Sequence, residues 1–384
     1  MAFQLTSGKR VIIGEHAFEM ALPHIMCLGS KALIVTGKIV TKNGIANKLI
    51  NTLLSVGIDS AIFNEIIGEP DDKMVAAGVA AYKKEGCDFI IGLGGGSPLD
   101  TAKAIAAMTV LPGEVQEYAG KELSGDFPPL VLVPTTAGTG SEATKYFCVT
   151  DSSQNKKLLM KGEDLLPDIA VVDYTYTLSS PQSVTAATGM DALTHAVEAY
   201  TSQKANPVTD VYALDAIARI FSNLTKAYLD GTNRQAREEM AFAAYEAGFC
   251  INNSSVTIVH GMSRPIGALF HVPHGISNAM LISECLRFVL DGAYNKFGAI
   301  GRTIGVASST DNDVVASEAF ITALESLTEQ LNIPTLAEYG IDHNAFRDAE
   351  NKMADDALES GSPLNTIKRV TKDDEIIIYE RLWK

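Results

Sequence analysis

The chain has 384 residues, of which 46% are hydrophobic and 20% are charged, and its formal net charge is -15 at pH 7. This length predicts two packed domains, and the composition is that of a globular protein, not of a disordered or fibrous one. The acidic charge argues against electrostatic binding to nucleic acid or to an anionic membrane, because such binding needs clustered Lys and Arg. We therefore expect neither as a partner.

The cysteines and the N-terminus give an expectation for the cellular compartment. The five cysteines lie far apart and show no CxxC spacing, which indicates reduced thiols. The first residues lack the charged-then-apolar order of a signal peptide, and no apolar run approaches the length that spans a bilayer. A cytoplasmic protein is the expectation.

The first part of the chain alternates short β-branched runs with longer helical patterns. Five runs are predicted to be buried strands: Arg10 to Ile13, Ala32 to Val35, Phe89 to Leu93, Leu130 to Val133 and Ala170 to Val172. Strands separated by helices predict an α/β domain whose sheet is largely parallel and carries helices on both faces.

The second part reads as consecutive helices, with hardly any convincing strand. Five of the helical patterns begin near Pro207, Gln235, His274, Asp313 and His343. An all-helical C-terminal domain is therefore predicted. We place the boundary in the polar segment 173–180, which gives an α/β domain over residues 1–178 and a helical domain over residues 179–384.

A glycine-rich loop, residues 94–100, follows the third predicted strand and leads into a helical pattern. Its three glycines let backbone amides face a ligand, and Ser97 is predicted as the N-cap with Pro98 as the first helical residue. A pyrophosphate suits such a helix N-terminus. The fingerprint G-x-G-x-x-G fails, because the count from Gly92 ends on Ser97. A glycine turn before a capped helix, with no ligand, is the alternative.

A second polar loop, residues 134–142, follows the next predicted strand. The carboxyl ends of parallel strands form the ligand crevice of such sheets, so two hydroxyl-rich and glycine-rich loops there favour a dinucleotide. A solvated turn with hydroxyl-to-backbone hydrogen bonds is the alternative.

Four residues of the helical domain are candidate metal ligands. Asp191 and His195 are four positions apart in a helical pattern and so share one helix face. His260 and His274 lie in apolar, otherwise helical surroundings. One carboxylate with imidazoles suits Fe²⁺, Zn²⁺, Mn²⁺ or Co²⁺, and the lack of thiolate argues against a purely structural zinc site. Each histidine, taken alone, is more often a hydrogen-bonded core or surface residue.

These residues, in this order, resemble the group III, iron-dependent alcohol dehydrogenase family. The likeness covers the whole chain and is most specific at residues 188–196 and 260–274. It implies the metal ligands Asp191, His195, His260 and His274. It implies the cofactor contacts Gly94, Gly95, Gly96, Ser97, Asp100, Thr135, Thr136 and Thr139, with Lys157 near the ribose.

The resemblance also implies the activity. It predicts a metal-dependent oxidoreductase that interconverts a short-chain aldehyde and a primary alcohol with NAD(P)(H), using Fe²⁺, or Zn²⁺ or another divalent metal. The N-terminal domain would bind the dinucleotide, the C-terminal domain would bind the metal, and the chain would form a homodimer or larger homo-oligomer. Rival interpretations are a dehydroquinate-synthase-like lyase, a metal-dependent hydrolase and a non-catalytic cofactor-binding protein.

Two departures from the family pattern bear on cofactor and substrate. Gly37 stands where NAD-preferring members commonly carry an Asp, so NADP is allowed without excluding NAD. Arg264 replaces a histidine four positions after His260, and His271 could take over part of its role in proton transfer. The alternative is that Arg264 pairs with a carboxylate and His271 is merely exposed.

The arginine makes an anionic substrate the sharper hypothesis. A guanidinium binds a carboxylate or sulfonate through two hydrogen bonds, which predicts an aldehyde such as sulfoacetaldehyde or succinic semialdehyde. The alternative is a neutral alcohol or diol dehydrogenase of the 1,3-propanediol, lactaldehyde/1,2-propanediol or butanol type.

Overall fold

The computed structural model describes residues 2–154 and 156–383. These residues form two compact units. The first unit is Leu5–Ser180, and the second consists of the described residues of Pro181–Lys384 together with those of Met1–Gln4. The predicted domain boundary, between residues 178 and 179, lies two residues before the division between the units. In the part of the chain that is described, no helix combines the length and apolar content that crossing a membrane requires.

A parallel β-sheet forms the centre of the first unit. The strands are β1 (Val11–Ile13), β2 (Lys31–Gly37), β3 (Asp59–Ile66), β4 (Phe89–Gly94), β5 (Leu130–Pro134), β6 (Tyr146–Asp151), β7 (Lys156–Lys161) and β8 (Ile169–Val172). Six of them form one sheet in the order β1-β8-β5-β4-β2-β3, with every pair parallel. β6 and β7 form a separate antiparallel hairpin.

Helices cover both faces of this sheet. They are α1 (Ala17–Ile25), α2 (Lys38–Lys42), α3 (Ile45–Ser55), α4 (Asp72–Glu85) and α5 (Gly96–Val110). Successive strand side chains point to opposite faces: Ile91 packs in the apolar cluster of α1 and α3, and Ile90 packs in that of α4 and α5. The prediction of a largely parallel sheet with helices on both faces is confirmed.

The sequence did not predict three of these strands. All five predicted strands are present, but β3, β6 and β7 were absent from the prediction. β3 lies at the sheet edge, and most of its residues are exposed or half-buried. An edge strand needs no continuous apolar run. Its polar residues Asp59, Asn64 and Glu65 interrupt the apolar pattern from which a buried strand is predicted.

The second unit is helical. Its helices are α6 (Gln182–Thr201), α7 (Pro207–Leu229), α8 (Arg234–Asn253), α9 (Ile258–Phe270), α10 (His274–Val289), α11 (Tyr294–Thr303), α12 (Asp313–Gln330), α13 (Leu336–Tyr339), α14 (His343–Glu359) and α15 (Lys372–Arg381). Short 3₁₀ helices occur at Val115–Tyr118, Ser141–Ala143, Glu163–Leu165, Tyr174–Thr177, Leu290–Gly292 and Pro363–Asn365. The predicted all-helical C-terminal domain is confirmed for residues 181–383, where no strand longer than an isolated bridge is present.

Helix α6 is the most deeply buried element of the second unit. Every residue from Gly189 to Thr201 is buried, and α6 packs against α7, α8 and α10. A Cβ atom at Gly189 would lie 2.3 Å from Leu224 Cδ1, so glycine is what permits the close approach of α7. The polar side chains of α6 are therefore held away from water and must find partners inside the protein.

Candidate metal centre and cofactor-binding loops

The four predicted metal ligands come together in the helical unit. Asp191 and His195 stand one turn apart on α6, His260 is on α9 and His274 is the first residue of α10. One ligand atom from each lies within 4.8 Å of the others. Asp191 Oδ1 is 3.9 Å from His195 Nε2 and 3.7 Å from Nε2 of both His260 and His274.

This donor set fits a divalent ion. Ligands at about 2.0–2.2 Å from a tetrahedral ion lie roughly 3.3–3.6 Å apart, close to the separations seen here. Burial would raise the pKa of Asp191, but His195, His274 and His260 hold it below its ordinary value. Asp191, His195 and His260 are buried, whereas the side chain of His274 is 25% exposed. The cluster is thus ready to bind a cation and is open to solvent on the His274 side.

Two further polar residues contact these ligands and were missed from the sequence. Glu198 Oε2 lies 2.5 Å from His260 Nδ1, and Asn278 donates from Nδ2 to Asp191 Oδ1 over 2.7 Å. Both side chains are fully buried. Burial would raise the pKa of Glu198, but His260 and Thr257 hold it below its ordinary value.

Helical spacing was the signal that could have found these two residues. Glu198 follows His195 by three positions, and Asn278 follows His274 by four.

Arg264 and His271 occupy different places on α9. Arg264 is one turn beyond His260, so both side chains project from the same side of the helix. Its Nη1 donates to Ser362 Oγ over 2.8 Å. His271 ends the helix in the left-handed conformation, with φ of 55°, and is exposed. Arg264 is thus a half-buried cation on the side of α9 that carries His260, whereas His271 is exposed to water.

The glycine loop joins β4 to α5, as the sequence predicted, but the helix begins earlier. Gly95 is the N-cap and the helix starts at Gly96, so the prediction of Ser97 as N-cap and Pro98 as first helical residue is wrong. Amides of the first turn have no partner within the helix, and Pro98 can therefore occupy the third position without losing a bond. Gly94 has φ of +154°, and a Cβ atom there would lie 2.6 Å from Pro98 Cγ.

The second polar loop, residues 134–142, is called the threonine loop below and lies against the glycine loop, residues 94–100. Gly94 and Pro134 are partners at the carboxyl ends of the neighbouring strands β4 and β5, and Thr135 N donates to Gly94 O over 2.8 Å. A Cβ atom at Gly96 would lie 2.8 Å from Thr139 Cγ2. Three glycines and three threonines are thereby gathered at one edge of the sheet: Gly94, Gly95, Gly96, Thr135, Thr136 and Thr139.

The remaining predicted cofactor residues lie around this edge. Asp100 accepts a hydrogen bond from Ser141 Oγ at 2.7 Å and another from the Cys148 amide at 2.8 Å. Lys157 on β7 places Nζ 2.6 Å from Glu69 Oε2. Gly37 is the last residue of β2, the strand next to β4. Both carboxylate oxygens of Asp100 are therefore used within the protein.

Lys103 is a buried cation that the sequence analysis missed. Its ammonium donates to the backbone oxygens of Ser141, Thr144 and Tyr146 at 2.6, 2.7 and 2.8 Å. Burial lowers the pKa of Lys103 to about 8. Lys103 lies three residues after Asp100 on α5. The hydrogen bonds of these two side chains hold residues 141–148 against α5.

Two family models account for almost the whole chain. One, described as iron-containing alcohol dehydrogenase, matches residues 8–174, and the other, the C-terminal part of the Fe-containing alcohol dehydrogenase family, matches residues 185–383. The chain belongs to the iron-containing alcohol dehydrogenase family. The predicted family and an enzyme of the oxidoreductase class are thereby confirmed, so the lyase, hydrolase and non-catalytic interpretations are excluded. The predicted iron and nicotinamide cofactors are confirmed by the iron-containing family, by the cluster of one Asp and three His, and by a relative named as NAD-dependent.

Curated relatives and solved structures of this family match over nearly the full length. The 1,3-propanediol dehydrogenase of Klebsiella pneumoniae is 37% identical over 359 residues, which is 92% of each chain. The lactaldehyde reductase of Escherichia coli strain K12 is 32% identical over 361 residues, again 92% of each. This iron-containing alcohol dehydrogenase family member is therefore an oxidoreductase of alcohols and aldehydes.

Solved structures agree. A crystal structure of 1,3-propanediol oxidoreductase superposes with a TM-score of 0.96 at 35% identity, covering 100% of both chains. The sulfoacetaldehyde reductase of Bifidobacterium kashiwanohense, in complex with NAD⁺, gives a TM-score of 0.88 at 27% identity, covering 100% of this chain and 99% of the other.

Proposed function

We propose that the protein reduces short-chain aldehydes and oxidises the corresponding primary alcohols at one divalent ion held by Asp191, His195, His260 and His274. The observation that carries this proposal is the approach of their four ligand atoms to within 4.8 Å of one another. When bound, the ion would supply a Lewis acid for the carbonyl oxygen, and the nicotinamide would carry the hydride.

The residues around the ligands have separate tasks. The buried Asp191 and His195 would hold the ion on its protein side, and the part-exposed His274 would leave room for substrate on the other side. We propose that His271 passes a proton to the product oxygen, because its exposed imidazole can exchange protons with water. His271→Asn is then expected to lower kcat while leaving metal content unchanged.

For the cofactor, we propose that the first-turn amides of α5 bind the pyrophosphate. Gly94, Gly95, Gly96 and Ser97 leave these amides open, and Thr135, Thr136 and Thr139 add hydroxyl donors beside them. Lys157 is proposed to face the ribose from β7, with Glu69 as its partner. Asp100 contributes by holding Ser141 and Cys148, because both of its oxygens are used there.

Both nicotinamide cofactors are proposed to bind. Gly37 presents no carboxylate at the end of β2, so a 2′-phosphate meets no like charge there. Lys38 follows it directly and adds a positive charge.

Within this activity, we propose a substrate that carries a carboxylate or sulfonate. Arg264 supports this proposal, since it shares a helix face with the ligand His260 and already donates to a hydroxyl, Ser362 Oγ. A guanidinium donates two parallel hydrogen bonds to such a group. The similar structure named as a sulfoacetaldehyde reductase acts on an aldehyde of this chemistry, according to its name.

A neutral diol is the second candidate. It is favoured by the 1,3-propanediol dehydrogenases of Klebsiella pneumoniae and Citrobacter freundii, at 37% and 38% identity. In that case Arg264 would donate to the distal hydroxyl of the diol.

The test is a steady-state comparison of anaerobically purified, Fe²⁺-loaded enzyme with NADH and with NADPH. The aldehydes are sulfoacetaldehyde, succinic semialdehyde, lactaldehyde and propanal. Arg264→Ala should lower kcat/KM about 10–100-fold for the two anions and little for the neutral aldehydes, because a hydrogen bond to a charged group contributes about 1.5–3 kcal/mol. An equal loss for both classes contradicts the anionic substrate, and no turnover with either cofactor contradicts the whole proposal.

A further inference from the structure

Glu198 is a fully buried carboxylate that touches one of the four candidate ligands. Its Oε2 lies 2.5 Å from His260 Nδ1. Its Oε1 accepts two hydrogen bonds, from Thr257 Oγ1 and from the Val259 amide, each at 2.7 Å. The two donors to Oε1 come from the segment that opens α9, so Glu198 on α6 holds the start of the helix that carries His260.

This contact determines which nitrogen of His260 carries its proton. An ionised carboxylate can only accept, so His260 Nδ1 must be protonated to face Glu198. The lone pair of the neutral ring is then on Nε2, the atom that lies 3.7 Å from Asp191 Oδ1. A metal ligand must offer a lone pair. Glu198 therefore selects the tautomer of His260 that can bind a metal at the cluster.

Glu198 also brings a second negative charge to a buried region. Glu198 and Asp191 are at most 2% exposed, and together their charges would balance one divalent cation. Removing one charge would leave a buried cation partly uncompensated, which is costly in a medium of low polarity.

We propose that Glu198 is a positioning residue of the metal centre, which fixes the tautomer and orientation of His260 and balances the charge of the ion. This inference rests on the proposed function, in which Asp191, His195, His260 and His274 hold that ion. Removing a carboxylate that is hydrogen-bonded to a metal-binding histidine typically lowers metal affinity by about 10–100-fold.

Glu198→Gln separates this role from simple packing, because the amide keeps the size of the side chain. The Val259 amide can only donate, so the variant should place its carbonyl oxygen there and its NH₂ group against His260. An NH₂ group facing Nδ1 requires the other tautomer, in which Nε2 carries the proton and cannot bind a metal. The opposite orientation of the amide would bury two donors facing each other.

The experiment measures the dissociation constants of Zn²⁺ and Co²⁺ by chelator competition on the intact protein. Glu198→Gln should weaken both at least tenfold and lower the absorbance of the Co²⁺ complex. Glu375→Gln is the matched control: Glu375 is also fully buried, and neither of its carboxylate oxygens has a hydrogen-bond partner among the described residues. Its metal affinity should equal that of the wild type.

Two further variants keep the proposal falsifiable. Thr257→Val removes one donor to Glu198 without changing charge, and should weaken metal binding about 2–10-fold even where Glu198→Gln does not fold. His274→Ala reports on the metal site itself. If His274→Ala loses metal while folded Glu198→Gln and Thr257→Val keep wild-type affinity, the role of Glu198 is overturned. If His274→Ala keeps wild-type affinity, the proposed metal site fails instead.

Discussion

The side-chain amide of Asn278 donates to Asp191 Oδ1, the oxygen that faces all three histidines. The distance is 2.7 Å, and the same Nδ2 atom lies 3.2 Å from His260 Nε2 and 3.3 Å from His274 Nε2. Asn278 is one turn beyond His274 on α10 and is fully buried. The amide thus orients the carboxylate of Asp191 toward the three imidazoles.

Asn278→Leu is expected to weaken metal binding about 10–100-fold. The leucine keeps the approximate volume but removes a hydrogen bond to a charged group, which contributes about 1.5–3 kcal/mol. Chelator competition with Zn²⁺ measures the change. Ser277→Ala is the control, because Ser277 is equally buried on the same helix but its hydroxyl donates to a backbone oxygen, Ser263 O, and not to a ligand side chain. Equal affinities of the two variants would contradict this role.

Gly37→Asp is expected to shift the enzyme toward NADH. The backbone there has φ of -103°, which any residue adopts, and a new Cβ atom would have Ile66 O at 3.3 Å as its nearest neighbour. The added carboxylate repels a 2′-phosphate and can accept from ribose hydroxyls. The ratio of kcat/KM for NADPH to that for NADH should fall at least tenfold, about 1.4 kcal/mol.

Gly37→Ala controls for the bulk of the new side chain at this position. It should change the two cofactors alike. If the aspartate variant also affects them alike, Gly37 does not determine the cofactor.

The fold could be predicted where burial of an element requires a recognisable run of apolar residues in the sequence. β4 and β5 are buried throughout, and such strands read as continuous apolar runs. β3 was not predicted, because a strand at the edge of the sheet tolerates polar residues. The start of α5 was misplaced because any of the residues 95–97 can cap a helix, and only the backbone path after Gly94 decides between them.

The candidate site was predictable only in part. The spacing of Asp191 and His195 places both on one helix face, but nothing in the spacing of His260 and His274 requires them to meet that face. Their meeting depends on how α10 packs against both α6 and α9, which is a tertiary property. The likeness to a family supplied that step. Glu198 and Asn278 share helix faces with His195 and His274 by spacing, but the spacing does not show that their side chains contact the ligands, so it made them candidates only.

Lys103→Met is expected to destabilise the first unit and weaken cofactor binding. The substitution leaves three buried carbonyl oxygens without their ammonium donor, and a buried acceptor left without a hydrogen bond costs about 1–3 kcal/mol. Urea unfolding should show the loss, and KM for NADH should rise because the chain after the threonine loop is released. Lys121→Met is the control: Lys121 is exposed, and its loss should change the unfolding free energy by less than about 0.5 kcal/mol.

Glu375 should make the stability of the protein fall as pH rises. Burial raises the pKa of Glu375 to about 8 in the folded protein, with Asp374 and Asp355 adding to the shift. The unfolded chain has the ordinary value of 4.5. A raised folded pKa means that the folded state retains a proton that the unfolded state gives up, so stability is full below pH 4.5 and is lost progressively up to about pH 8.

Glu375→Gln removes this titration. The difference in unfolding free energy between the variant and the wild type should therefore grow in favour of the variant from pH 5 to pH 8, by an amount on the order of a few kcal/mol. The absolute difference at pH 5 includes the cost of burying the amide, so the slope with pH is the quantity to compare. Urea unfolding at several pH values measures it on the metal-loaded protein. Parallel stability curves for the two proteins would show that the Glu375 carboxyl is not held neutral by its burial.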